Sequence, residues 1–314
     1  MSMSDQANII SHHRNAVSLE NVVKKIKSRI LNEGDKPHVS VQKQLALLAD
    51  LQQFEVGRFL IHNRGINGFW TDYILTHPER GRKTGRNFSG ALFSDLEKFL
   101  LDRAPTMLAT QQRFKIFLRE NQKCVCENAS LACIPSGLMG ELRYLDFQNI
   151  RNIRLVGVDL DKDALSQALQ LAKRQKLQTF VELKNENAWH LSARAEFDLI
   201  SSNGLSIYEA CNNRLLRLYK AFYQALKSGG KLITSFLTHP RSADDPQKCC
   251  WNLQQVNQAD LLLQKIIFDD VLKVKWQCFR SEKETEGLLE KAGFKEIRFI
   301  DDQARIFPTV IALK

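Results

Sequence analysis

Between about Asn15 and Asn121 apolar residues recur at intervals of three and four, the spacing that gathers them on one face of a helix. Val22, Val23, Ile26, Ile30 and Leu31 form one stripe, and Leu45, Leu47, Leu48, Leu51, Phe54, Val56, Phe59 and Leu60 crowd a second, longer segment. GFWTDYILTHPER, SGALFSDLEKFLLDRAP and TMLATQQRFKIFLREN keep the period between Gly and Pro breaks. The spacing predicts a helical domain, a cap or lid, over residues 1–121.

After Asn121 the period changes. Short β-rich runs alternate with helical ones: LACI before a helix near Leu138–Asp146, RLVGVDL before DKDALSQALQLAKRQ, then TFVEL, then FDLISSN before NRLLRLYKAFYQALKSGG, and KLITSFLT. Such alternation implies βαβ units and a parallel sheet covered on both faces, an α/β, Rossmann-like domain over residues 122–314. HPRSADDPQKCCW and the amphipathic NQADLLLQKIIFDDVL read as an insertion over the strand ends, about residues 240–276. SEKETEGLLEKAGF is a helix with Ser281 as its cap and Gly293 at its end. The ending KEIRFIDDQARIFPTVIALK reads as two strands forming an antiparallel pair at the sheet edge.

Ligands of an open α/β sheet settle beyond the carboxyl ends of its strands, so the residues just after each strand are the candidates. The turn ACIPSGLMG offers Gly137 and Gly140, whereas Cys133 and Pro135 stand where a glycine-rich loop would have glycine. Asp159 ends the next strand, 22 positions after Gly137, where a carboxylate can accept hydrogen bonds from both hydroxyls of a ribose. Asp161 is placed to cap the following helix. After TFVEL, Asn187 can meet an adenine edge, with Ala188 and Trp189 near the ring or, for Trp189, anchoring the core. Ser202, Asn203 and Gly204 follow a buried strand, and Tyr208 can lean over the same crevice.

In this order the loop, GVDLD, NENAW, FDLISSNGL, LKSGGKLITSF and LLEKAGF resemble the class I S-adenosylmethionine-dependent methyltransferases, over roughly Cys124–Lys314. The resemblance implies a seven-stranded sheet whose last strand is antiparallel, with S-adenosylmethionine as cofactor. It implies that Pro135, Ser136 and Gly137, next to Cys133, lie against the methionine part and the ribose, and that Asp159 holds the ribose hydroxyls with Leu160 against the adenine. Asn187 and Ala188, with Trp189, would meet the adenine from the other side, and Asn203, Gly204 and Leu205 would line the methionine end. The chain departs from the pattern at Leu131, near where the family has an acidic residue, and at the two missing loop glycines. Methyl transfer needs alignment more than acid or base chemistry. Tyr208 and His239 are the acceptor-side candidates, His239 as a general base.

The helical amino-terminal segment and the insertion resemble lids of small-molecule methyltransferases, so the expected partner is a small-molecule methyl acceptor, with Trp70, Tyr73 and Phe114 as candidate chamber walls or packing residues. Two other readings stay open: a nucleic-acid or protein methyltransferase working through a basic surface, and a NAD-dependent oxidoreductase or non-catalytic nucleoside-binding module. The net charge of +10 suits an anionic partner, yet only ERGRKTGR, Glu79–Arg86, is densely basic. Seven cysteines without a C-x-x-C rhythm favour neither a disulfide framework nor a metal cage. No run of about 18 apolar residues and no secretory leader pattern is found, which predicts a cytoplasmic protein away from the membrane.

Overall fold

The computed structural model describes residues 17–240 and 250–314. The described residues within Gln112–Asn252 and Gln277–Lys314 form one compact unit, and those within His12–Gln111 and Leu253–Trp276 form a second.

The first unit is built on a seven-stranded sheet. Its strands are β1 (Ser130–Cys133), β2 (Arg154–Asp159), β3 (Val181–Asn185), β4 (Phe197–Ser202), β5 (Leu226–Ser235), β6 (Lys295–Ile300) and β7 (Thr309–Leu313). They lie in the order β3-β2-β1-β4-β5-β7-β6, with β7 antiparallel to both of its neighbours. The strand order reverses between β1 and β4, so the carboxyl ends of these two strands open the crevice in which such sheets bind ligands. β1 is buried along its whole length, as expected of a parallel strand covered on both faces. Alternate residues serve opposite faces. Ala132, Ile134, Val156, Val158 and Ile200 pack with Leu215, Leu218 and Phe222 of the helix Asn212–Ala225 and with Leu288 and Leu289 of the helix Glu282–Ala292. Leu131, Cys133, Leu155, Leu199 and Ile233 pack with Phe117 and Ala168 on the other face.

Several elements differ from the periodicity. The helix expected near Leu138–Asp146 shrinks to Gly140–Arg143, because Met139 turns into the left-handed region and starts it late. The helix before β5 ends at Ala225, and the glycine pair lies inside the strand: Gly229 has φ 72°, and a Cβ on Gly230 would stand 2.8 Å from the Lys227 carbonyl oxygen. The helix Glu282–Ala292 has the expected ends, a capping box at Ser281 and a left-handed Gly293.

In the second unit the first apolar stripe forms the helix Leu19–Glu33, with Val23, Ile26 and Ile30 buried but Leu31 60% exposed. The longer stripe breaks into two helices, Val41–Leu51 and Glu55–Asn63. The insertion supplies the helix Gln258–Lys265, continued by a π-helical stretch to Leu272. Asp270 from that stretch pairs with Lys36 at 2.7 Å and His38 at 2.8 Å, and Arg29 donates to the Asp270 carbonyl oxygen at 2.9 Å. The carboxyl of Asp270 is depressed below its ordinary range, because the hydrogen bonds from Lys36 and His38 outweigh its burial. Of the expected insertion at about 240–276, residues 241–249, with Cys249, lie outside the described residues. Among the described residues no helix is long and apolar enough to cross a membrane.

Two details of the sheet unit carry measurable consequences. Glu120, in the helix Pro105–Gln122, accepts from Lys123 at 2.8 Å and from Arg298 of β6 at 2.7 Å. Burial pushes its carboxyl up, but these two hydrogen bonds outweigh burial and hold it down to about 2. Because the folded pKa lies below the unfolded one, this contribution is complete above about 4.5 and is lost as the pH falls towards about 2. Glu120→Gln should lower stability near neutral pH by about 1 kcal/mol, a small figure because both cationic partners are half exposed. Urea unfolding at several pH values should show the gap between wild type and variant closing through that acid window.

The second detail is Gly157 in β2, directly beside Cys133 of β1 in the sheet register. A Cβ there would come within 2.8 Å of both Met139 Sδ and Leu183 Cδ2. Met139 is fully buried, so its sulfur cannot relax into solvent. Gly157→Ala should cost about 1 to 3 kcal/mol by overpacking, read from the urea midpoint at unchanged slope.

Candidate active site

The turn after β1 is closed by backbone bonds rather than by a glycine-rich sequence. Ser136 N–H donates to the Val158 carbonyl oxygen at 2.8 Å, and Met139 N–H donates to that of Ser136 at 2.6 Å. Gly137 has φ 45° and Met139 φ 57°, so two left-handed residues make the bend for which a glycine-rich loop has more freedom. Gly137 N–H then donates to Asp159 Oδ2 at 2.8 Å, while Asp161 N–H donates to Oδ1 at 3.0 Å. The turn after β1 and the carboxylate at the end of β2 therefore touch. Each carboxylate oxygen has accepted one bond and can accept another. Burial raises the Asp159 carboxyl above its ordinary range, against the lowering effect of the Asp161 and Gly137 N–H groups. Asp161 caps the helix Lys162–Arg174 by accepting from the N–H groups of Asp163 and Ala164.

Beside this pair, Asn185 Nδ2 donates to the carbonyl oxygens of Asp159 at 2.9 Å and Leu160 at 3.0 Å, fixing the backbone of the strand end. Asn187 accepts from Trp189 N–H at 3.0 Å, which starts a short 3-10 turn with Ala188 buried. The Trp189 indole N–H donates to the Arg214 carbonyl oxygen at 2.9 Å, and the ring packs against the core on that face. Its anchoring role is thus visible, and the Asn187 side-chain oxygen serves to cap that turn.

At the end of β4, Asn203 Nδ2 donates to Glu141 Oε1 at 3.0 Å and Asn203 Oδ1 accepts from Ser235 Oγ at 3.3 Å. Gly204 has φ 94°, and a Cβ placed on it would meet nothing within 4 Å, so space lies open beside Asn203. Leu205 packs half-buried against the core, and Tyr208 ends the 3-10 turn Ser206–Tyr208, half-buried. Arg280 holds that turn by donating to the carbonyl oxygens of Ser206 and Glu209. His239 lies four residues past β5, half-buried, with its ring 5.8 Å from that of Phe279 and its carbonyl oxygen accepting from Cys250 N–H. Phe114 is buried and meets Tyr144 edge to face at 6.1 Å. Trp70 and Tyr73 belong to the helical unit, edge to face at 5.3 Å, with the Tyr73 hydroxyl donating to Glu97 at 3.2 Å.

Sequence reasoning missed a buried polar chain at the ends of β1, β4 and β5. Cys133 Sγ donates to Glu141 Oε2 at 2.9 Å, and Glu141 continues through Asn203 and Ser235 to Arg113, whose NH1 donates to Ser235 Oγ at 3.3 Å. Asn121 Nδ2 donates to the Glu141 carbonyl oxygen at 3.0 Å and to Ser201 Oγ at 3.1 Å. Burial raises the Glu141 carboxyl, raises the Cys133 thiol well above its usual value with Glu141 adding to the effect, and lowers Arg113 to about 10. Leu131 lies fully buried in β1, and the carboxylate beside Cys133 is that of Glu141, in the short helix beyond the turn. In the sequence, Glu141 and Arg113 look like ordinary polar members of helical segments, and only the fold reveals that they face inward.

Residues 136–234 match the family model described as a methyltransferase domain. Among curated proteins none matches the chain. A solved structure of a Bordetella parapertussis protein, described as a possible exported protein, is 39% identical, covers 100% of this chain and 99% of its own, and superposes with a TM-score of 0.87. Magnesium protoporphyrin IX methyltransferase from Synechocystis PCC 6803 is 12% identical, with 78% of this chain and 98% of that one covered and a TM-score of 0.49. Haemonchus contortus phosphoethanolamine N-methyltransferase 2 is 14% identical, with 64% and 52% covered and a TM-score of 0.46. The matched domain begins at the turn after β1 and ends within β5, the segment that builds the crevice, and the chain carries a methyltransferase domain with the class I S-adenosylmethionine-dependent fold.

Proposed function

We propose that the sheet unit transfers a methyl group from S-adenosylmethionine to a small-molecule acceptor. One observation carries this reading: the Gly137 N–H sits 2.8 Å from the Asp159 carboxylate, so the turn and the acid converge on one place. The residues present suit the cofactor. Asp159 retains acceptor capacity for ribose hydroxyls, and open space lies beside Gly204. When bound, S-adenosylmethionine supplies a methyl group on a positively charged sulfur that is already a good leaving group.

The chain's own part is to bind, orient and exclude water. Asp159 holds the ribose; Leu160, Asn187 and Ala188 enclose the adenine; Pro135, Ser136 and Gly137, backed by Cys133, bear on the methionine portion; Asn203 and Gly204 bound its far end. Fixing donor and acceptor in line turns a bimolecular displacement into an effectively unimolecular one. His239 and Tyr208 stand as the acceptor-side groups, His239 taking a proton where the acceptor must lose one.

Support for a small acceptor comes from the polar groups at the ends of β4 and β5, which are buried rather than displayed. The basic run Glu79–Arg86 gives little support to a nucleic-acid acceptor, because its charges are engaged within the chain. Arg82 pairs with Asp102 at 2.7 Å, Lys83 with Glu79 at 2.8 Å, and Arg86 donates to the Gly90 carbonyl oxygen at 2.7 Å. Cys124, Cys126, Cys133, Cys211 and Cys278 are free thiols, which supports a reducing, cytoplasmic compartment.

Calorimetric titration with S-adenosylhomocysteine tests the cofactor assignment. Asp159→Ala, folded by circular dichroism, should bind it about 1 to 3 kcal/mol more weakly, the cost of losing a buried charged acceptor. Unchanged affinity would remove Asp159 from the ribose.

A further inference from the structure

We infer that Arg113 is a carboxylate receptor at the reaction site, an inference that rests on the methyltransferase reading and adds to it the charge of a ligand. Arg113 is 4% exposed, in the helix Pro105–Gln122, and its guanidinium carries five donors. Among the described residues it makes one bond, by NH1 to Ser235 Oγ at 3.3 Å, and Nε has no partner. One face of the group is covered by the Phe307 ring, 4.5 Å from the guanidinium carbon, so what remains is its donor-bearing edge.

The chain does not neutralise this charge at contact distance. Glu141 and Asp302 act on Arg113 electrostatically, yet each is committed elsewhere. Glu141 accepts from Cys133 and Asn203, while Asp302 accepts from the N–H groups of Ala304, Ile306 and Phe307. A buried cation lacking hydrogen-bond partners is costly, and burial brings Arg113 only to about 10, so it stays charged at neutral pH. A ligand that supplies the missing acceptors removes that cost.

Geometry and charge select a carboxylate. Its two oxygens match the planar edge of a guanidinium, which a single-point acceptor does not. A phosphate dianion would place excess negative charge near Glu141 and Asp302. Ser235 ends β5 and Phe307 precedes β7, strands two and three places past β1 in the sheet. The carboxylate is therefore assigned to the methyl acceptor, on the far side of the crevice from Asp159; the amino-acid head of the cofactor is the other source of the same chemistry.

Two titrations on wild type, Arg113→Gln and Arg113→Lys separate these sources. In the first, S-adenosylhomocysteine is compared with 5′-methylthioadenosine, which lacks the amino-acid head. In the second, hexanoate and benzoate are compared with their neutral amides on protein saturated with S-adenosylhomocysteine. The expected result is a carboxylate preference in wild type that falls about tenfold in Arg113→Gln and is partly kept in Arg113→Lys, with nucleoside affinities unchanged. Loss of S-adenosylhomocysteine affinity alone, with methylthioadenosine unaffected, assigns the receptor to the cofactor's carboxylate. Wild type with neither a carboxylate preference nor a head-group preference overturns the inference even if Arg113→Gln does not fold. Wild type that binds neither nucleoside removes the methyltransferase reading, and this one with it.

Discussion

The hydrogen bond from Gly137 N–H to the Asp159 carboxylate is the constraint on which the site depends. It joins two segments that run side by side only because β1 and β2 are parallel neighbours, with Cys133 opposite Gly157. The absence of a side chain at Gly157 lets the fully buried Met139 occupy the space beneath the turn. In a loop rich in glycine the backbone reaches its ligand by freedom of conformation. Here a turn with fewer glycines is held by packing from below and by a carboxylate from beside it.

The same crevice carries an unusual amount of buried polarity. Cys133, Glu141, Asn203, Ser235 and Arg113 form a chain of hydrogen bonds across the ends of three strands, within a core that is otherwise apolar. Each group loses hydration on folding, and the hydrogen bonds return only part of it. Partly satisfied buried polar groups concentrate where a ligand completes the pairing, and Arg113, with Nε unpartnered, is the clearest member of this group. Glu141 gives the cluster a carboxylate although the strand itself offers only Leu131, so the acid reaches the crevice from the opposite direction along the chain.

The helical unit shows the opposite economy. Asp270 in the π-helical stretch gathers Lys36 and His38 at its carboxylate and the Arg29 guanidinium at its carbonyl oxygen, and Gln264 accepts from the N–H and hydroxyl of Thr106 at 2.7 and 2.8 Å. These bonds bind the stretch Leu253–Trp276 to helices more than a hundred residues earlier, and the polar atoms that make them are satisfied within the chain. The charges gathered at Asp270 thus maintain the architecture of this unit, whereas Arg113 at the sheet ends keeps a buried Nε without a partner among the described residues.

Much of this was legible from the sequence. Alternation of apolar runs dictates the parallel sheet, the capping residues Ser281 and Gly293 mark a helix, and the sequence places the Asp159 carboxylate at the end of an apolar strand, because these features depend on local spacing alone. Local spacing also misled: Leu31 continues a stripe yet faces outward, and the glycine pair expected to end a helix lies inside β5, where close backbone approach at Gly230 requires it. Only the tertiary structure decided that the residues around 253–276 join the amino-terminal helices, that Glu141 turns its carboxylate to Cys133 and Asn203, and that Arg113 points into the protein with its Nε donor unpartnered among the described residues. Those facts belong to pairs of residues far apart in the chain, and the polarity of a single residue says nothing about which distant surface will close over it.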